Sequence, residues 1–90
     1  MADPYDIELS NKIRKRIEKL QKRDPSHYKA VVAKIAEISE NPNIGKPLRK
    51  VLKGRKRIHI GPFVLIYAVD DNNRIVTFLN FEHHDDAYKY

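Results

Sequence analysis

The sequence predicts an α+β fold of order βααβββ: an antiparallel (mixed-edge) twisted sheet with an N-terminal helical hairpin packed on one face. Three observations predict it. Two early segments carry apolar residues at helical spacing and are separated by Asp24-Pro25. Three later segments are strand-like and are joined by the turn formers Gly61-Pro62 and Asp70-Asp71-Asn72-Asn73. Helices and hairpin-linked strands are therefore segregated along the chain, the pattern of an α+β layer structure. Ninety residues supply one core and no more, so residues 1–90 are expected to form a single domain.

Each element has a local reason. Tyr5-Asp6-Ile7-Glu8-Leu9 alternates apolar and acidic residues, the period of a short half-buried strand. Ser10 follows as an N-cap, and Asn11 to Lys22 reads as a helix with Ile13, Ile17 and Leu20 at i, i+4 and i+7. Asp24-Pro25 ends it, because the residue before a proline avoids the helical region. A second helix opens at Pro25 or Ser26 and runs to about Glu40, with Tyr28, Val31, Val32, Ile35 and Ile38 as its apolar stripe and Glu37 and Glu40 outside. Asn41-Pro42 closes it. The short connection makes the helices an antiparallel pair, and their narrow stripes need a third surface, which the strands supply. Arg55 to Ile60 alternates basic and apolar residues. Phe63 to Val69 is apolar throughout, as in a central strand. Arg74 to Phe81 is the last strand.

Composition removes several classes. With 41% hydrophobic and 33% charged residues the chain is polar yet holds enough apolar material for a small core. Without Cys there is no disulfide framework and no thiolate metal site, which fits a reducing, cytoplasmic setting. No apolar run reaches the roughly 18–20 residues of a membrane helix, and the acidic, turn-like Met1 to Asp6 is unlike a signal peptide, so no membrane association is expected. Three glycines form no phosphate-binding loop, and the serines sit at caps or helix ends.

The charge of +6 is unevenly spread. No acidic residue occurs from Asn41 to Val69, and Lys46, Arg49, Lys50, Lys53, Arg55, Lys56 and Arg57 crowd twelve positions. A one-signed block of this density suits a polyanion, nucleic acid above all, or an acidic protein; the alternative is a solvated loop kept soluble by charge. The strand period sorts this block. Ile58 and Ile60 must face the helices, with Lys56 starting their row, so Arg55, Arg57 and His59 share the open face about 6.5–7 Å apart. That spacing is near the phosphate repeat of a nucleic-acid backbone; an ordinary solvated row is the alternative.

The tail, Glu82 to Tyr90, contains the adjacent pair His83-His84 and then Asp85-Asp86. Neighbours in extended chain point apart, and no His-x-x-x-His or Cys partner exists, so neither a metal nor another cofactor is expected. General acid–base work suits histidines best, because their ordinary pKa lies near neutrality; surface histidines without a task remain the alternative.

Four segments together resemble a known family: Pro47-Leu48-Arg49-Lys50-Val51-Leu52-Lys53-Gly54, Arg57-Ile58-His59-Ile60-Gly61, Phe63-Val64-Leu65-Ile66-Tyr67, and His83 to Tyr88. In order and spacing the chain is similar to the RelE/ParE superfamily of type II toxin–antitoxin toxins, closest to the RelE-type mRNA interferases. The resemblance implies metal-independent, ribosome-dependent cleavage of translated mRNA in the A site, in which the RNA 2′-hydroxyl attacks its own phosphate. It implies His59 or Tyr88 as general base and His83 or His84 as the acid for the leaving 5′-oxygen. Arg57 would stabilise the developing phosphorane charge. Arg49, Lys50, Lys53, Arg55 and Lys56 would grip flanking phosphates or ribosomal RNA. The implied partners are an acidic, RelB-like antitoxin, mRNA and the ribosomal A site.

The chain departs from the family pattern at Val64, where an arginine usually faces the scissile phosphate, and at His84, where many relatives have Arg or Lys. The resemblance therefore also admits a ParE-like toxin that inhibits gyrase, or a catalytically weakened RNA- or ribosome-binding member of the same fold.

Overall fold

The computed structural model describes residues 3–48 and 54–84. Strand β1 (Asp6–Leu9) leads into helices α1 (Asn11–Arg23) and α2 (Pro25–Glu40), and a 3-10 turn spans Pro42–Ile44. Strands β2 (Lys46–Pro47), β3 (Arg55–Ile60), β4 (Phe63–Asp70) and β5 (Ile75–His83) follow. They form one five-stranded sheet in the order β1-β5-β4-β3-β2, antiparallel except for the parallel β1–β5 pair at one edge. This is the expected α+β architecture, with a mixed edge and one additional strand. β2 has only two residues, too few to leave a periodic signal, and it exists because Lys46 and Pro47 pair with Arg57 and Lys56.

The helix boundaries follow from capping. The Ser10 hydroxyl accepts from the Ile13 N–H at 3.2 Å and donates to the Leu79 carbonyl at 3.1 Å, so the residue that starts α1 also ties it to β5. Asp24 serves both helices: its backbone N–H donates to the Leu20 carbonyl at 2.8 Å, and its carboxylate accepts from the His27 N–H at 3.1 Å. Pro25 stands at the first position of α2, where a missing N–H costs nothing. Asp70 closes the β4–β5 turn, its two oxygens accepting from the Asn73 backbone and side-chain amides. These bonds hold its carboxyl below the usual carboxylate range.

The core lies between the hairpin and one sheet face. Ile13, Val31, Ile35 and Ile38 meet Ile60, Leu65, Tyr67, Val76, Phe78 and Phe81 there. Phe78 and Phe81 are three residues apart, a spacing that alternation would send to opposite faces. A bulge between Ile66 and Tyr67 resolves the conflict: Tyr67 pairs with Phe78 and Ile66 with Asn80, so Leu79 is the extra residue and both phenylalanines point inward. The predicted α2 stripe is narrower than expected. Val31, Ile35 and Ile38 are buried, whereas Val32 is 41% exposed, about 100° round the helix from Val31. Ile7, on the edge strand β1, is 43% exposed although Tyr5 and Leu9 on either side pack against the core.

Tyr67 connects core and loop. Its ring is fully buried, and its hydroxyl donates to the Pro42 carbonyl and accepts from the Gly45 N–H, both at 2.9 Å. Burial raises the phenol's pKa above its ordinary value of 10.0, partly offset by the Gly45 bond. A Cβ at residue 45 would collide with this hydroxyl and lie 2.8 Å from the Arg57 carbonyl oxygen, so only glycine permits the approach. The chain segment that enters β2 is thereby pinned beside β3.

Candidate functional site

The sheet face away from the helices carries three cross-strand rungs, set by register. Arg55 lies opposite Ala68 and then Thr77; Arg57 opposite Ile66 and then Asn80; His59 opposite Val64 and then Glu82. Lys46 of β2 extends the middle rung by pairing with Arg57. Val64 and Ile66 form a small apolar floor at 0% and 3% exposure, with Leu48 packed against them. The side chain at position 64, where the resemblance expects an arginine, is thus a buried valine directly across from His59.

Three chemistry-bearing groups converge above this floor. Arg57 Nη1 donates to His59 Nε2 at 3.0 Å. An arginine N–H can only donate, so Nε2 accepts and the ring proton resides on Nδ1. The imidazole of His84 lies 5.8 Å from that of His59, centroid to centroid, at an interplanar angle of 31°. The His84 backbone N–H donates to the Pro62 carbonyl at 2.9 Å, which holds the end of β5 against the β3–β4 turn. The pKa of His59 lies below its ordinary 6.5. Partial desolvation is the main cause, followed by the like charges of Arg57, His84 and Lys46. At neutral pH His59 is therefore an unprotonated imidazole in a positive field, poised to take a proton.

The adjacent histidines separate. His83 pairs with Phe63 across the β4–β5 ladder, and the two rings meet edge to face at 5.8 Å on the helix side of the sheet. Successive side chains of a strand project to opposite faces, so only His84 reaches His59. His83, offered by the sequence as an equal alternative, lies away from that group. Lys56, which the resemblance implies for the basic grip, lies on the row where the strand period put it. It sits opposite Tyr67 on the helix-side row and is half-buried. Arg55 remains exposed on the open face. Arg49, Lys50, Lys53 and Tyr88 lie outside the described residues.

Two contributors escaped the sequence reading. Lys46 was legible as a member of the basic block, but its place beside Arg57 depends on the two-residue strand β2. Glu82 lies on the His59 rung, and its carboxylate is neutralised from α1 by Lys12 at 2.6 Å and Arg16 at 3.6 Å. The acid on this face is thus drawn toward the helix instead of toward the histidines. Among the described residues no three His, Asp or Glu side chains are grouped so as to hold a metal ion.

Comparison with known proteins covers nearly the whole chain. Residues 7–88 match the family model described as the ParE toxin of the type II toxin–antitoxin system parDE. The chain is 45% identical over 86 residues to the RelE4 protein of Methanocaldococcus jannaschii, covering 94% of this chain and 92% of that protein. It is 32% identical over 89 residues to toxin RelG of Mycobacterium tuberculosis, covering 96% and 98%. The toxin–antitoxin complex RelBE2 of Mycobacterium tuberculosis contains a chain of the same fold, with a TM-score of 0.76 and 32% identity over 91% of this chain and 100% of that one. No helix among the described residues is long and apolar enough to cross a membrane.

Proposed function

Since the chain belongs to the RelE/ParE superfamily, as a toxin of a type II toxin–antitoxin module, we propose that it acts as an endoribonuclease on translated mRNA in the ribosomal A site. The observation that carries this reading is the meeting of Arg57, His59 and His84 on the open face, with Lys46 beside them. A phosphodiester seated there draws the Arg57 guanidinium to its oxygens and releases His59 Nε2. His59 then accepts the proton of the RNA 2′-hydroxyl as that oxygen attacks phosphorus. The bond to the 5′-oxygen breaks, and His84 protonates the leaving oxygen. The products are a 2′,3′-cyclic phosphate and a 5′-hydroxyl end. Arg57 and Lys46 offset the extra negative charge of the phosphorane, a term worth about 10²–10³ in rate for one well-placed donor. Arg55 extends the grip along the backbone. The partner that restrains the toxin is an acidic, RelB-like antitoxin in the same cytoplasm. It covers the basic face, so that antitoxin and RNA exclude each other.

A second reading is a toxin that acts by binding gyrase, as ParE-type toxins do. It is favoured by the description of the matching family model and by buried Val64 where the resemblance expects arginine. One experiment separates them. The chain is induced alone, and 5′ ends of cellular mRNA are mapped against an Arg57→Ala/His59→Ala/His84→Ala variant. The nuclease reading expects new ends within translated codons that vanish in the variant. Growth arrest with no new mRNA ends assigns the protein-binding reading instead.

A further inference from the structure

On the helix side of the same sheet end lies a groove of about 150 Å³, lined by Arg16, Lys19, Leu20, Arg23, Phe63 and Phe81. Its floor is aromatic: the Phe63 and Phe81 rings stack 5.1 Å apart at 16°. Its rim is cationic. Arg16, Lys19 and Arg23 stand at i, i+3 and i+7 of α1, a helix with seven Lys and Arg against the single acid Glu18. An apolar core helix would place such charges toward open solvent; here three of them border aromatic surface.

The groove is joined to the catalytic group through two consecutive residues. His83 meets Phe63, one of the groove's two aromatic rings, and His84 meets His59 on the open face. Their Cα atoms are one peptide step, about 3.8 Å, apart. A strand whose scissile phosphate lies between His59 and His84 therefore meets the groove where it passes the sheet end beside His83 and Phe63. A flat ring above an aromatic floor, with its phosphates beside arginine and lysine, is the recurring chemistry of single-stranded nucleic-acid binding.

We propose that this groove is a nucleotide subsite, in which a base flanking the cut stacks on Phe63 while Lys19 and Arg23 hold the adjoining phosphates. The inference rests on the nuclease reading, for it takes the RNA to be already placed at His59. It assigns α1, as densely basic as the Lys46-to-Arg57 block, a direct part in substrate binding.

The test separates base from backbone. Binding is measured by fluorescence anisotropy at low salt for a ten-nucleotide 2′-O-methyl RNA, which lacks the attacking hydroxyl, and for an abasic strand of equal length. The wild-type protein is expected to favour the strand with bases by about tenfold, in the range one stacked base provides. Phe63→Leu keeps an apolar side chain in place and is expected to remove most of that preference while the Tm stays near the wild-type value. Lys19→Glu/Arg23→Glu is expected to weaken both strands alike. A preference untouched by Phe63→Leu, with binding that still falls in Arg57→Ala, overturns the subsite and leaves the nuclease reading standing. Binding that responds to neither Arg57→Ala nor the groove variants overturns both. Groove variants that bind RNA normally but fail to bind the antitoxin show that the groove belongs to the protein partner and overturn the subsite.

Discussion

The two faces of the sheet are built from the same strands and answer to different physics. On the helix side Ile60, Leu65, Tyr67, Phe78 and Phe81 are buried against Ile13, Val31, Ile35 and Ile38. A bulge was needed to turn both phenylalanines inward. On the open side the buried surface shrinks to Val64 and Ile66, and above it stand Arg57, His59 and Lys46. One face carries the apolar burial that opposes chain entropy. The other carries like charges that repel each other and that add to partial desolvation, the larger cause, in lowering the His59 pKa. The contrast teaches that stability and chemistry are divided by strand alternation, and that the division is sharp enough to send His83 and His84 to opposite sides.

The comparison breaks most severely at Phe78. Phe78→Ala is expected to cost about 3–5 kcal/mol, a large part of the total of about 5–15 kcal/mol typical of a small domain. Chemical denaturation checks this, and toxicity should disappear with the fold. Arg57→Ala should do the opposite. Cleavage, measured on programmed ribosomes, falls about 10²–10³-fold, while unfolding free energy stays within about 0.5 kcal/mol of wild type. A large stability loss in Arg57→Ala would show that the faces are not separable.

Tyr67→Phe probes the seam. Removing its hydroxyl leaves the Gly45 N–H and the Pro42 carbonyl without their buried partner, at a cost of about 1–3 kcal/mol. Because this hydroxyl pins the entry to β2, amide shifts in an NMR spectrum should extend to Lys46; shifts confined to the core would refute that link.

The smallest effect sharpens the electrostatics. Lys46→Gln removes one of the charges that lower the His59 pKa, so an NMR titration of His59 should give a higher value in the variant. The sign for activity follows. A base with a depressed pKa stays neutral through pH 6.5 and loses function only when pH falls through the lowered value, so the acidic limb of cleavage should move upward in Lys46→Gln. Stability moves in the same sense: His59 contributes fully above the unfolded value near 6.5 and loses that contribution as pH falls toward its folded value. An unchanged His59 titration would remove Lys46 from the site.

Most of the framework was legible locally. Ser10, Asp24-Pro25 and Asn41-Pro42 mark helix ends through capping bonds that span three or four residues, so a linear reading recovers those ends, though not the Ser10 bond to Leu79. The open-face row Arg55, Arg57, His59 follows from a period of two, once Ile58 and Ile60 are assigned to the core. The exposure of Val32 was less accessible, because an apolar residue beside the stripe cannot be told from one within it until α2 is docked. The site was legible in part. Its residue types and the basic strand stood in the sequence, but the choice between His83 and His84 did not, because it depends on which of them lies opposite Phe63.

By itself the sequence determined the order of the two helices and the four longer strands, the Ser10 cap of α1, most of the apolar set that forms the core and the excess of positive charge on one strand. These are consequences of side-chain chemistry and of periods measured along the chain. Only the tertiary structure decided that Lys46 stands beside Arg57, that Leu79 is the bulged residue, that Val64 is a covered floor under the histidines, and that the cations of α1 border Phe63. Each of these depends on register between segments far apart in sequence. Register is set by the joint burial of many side chains at once, so no single stretch of the chain contains it.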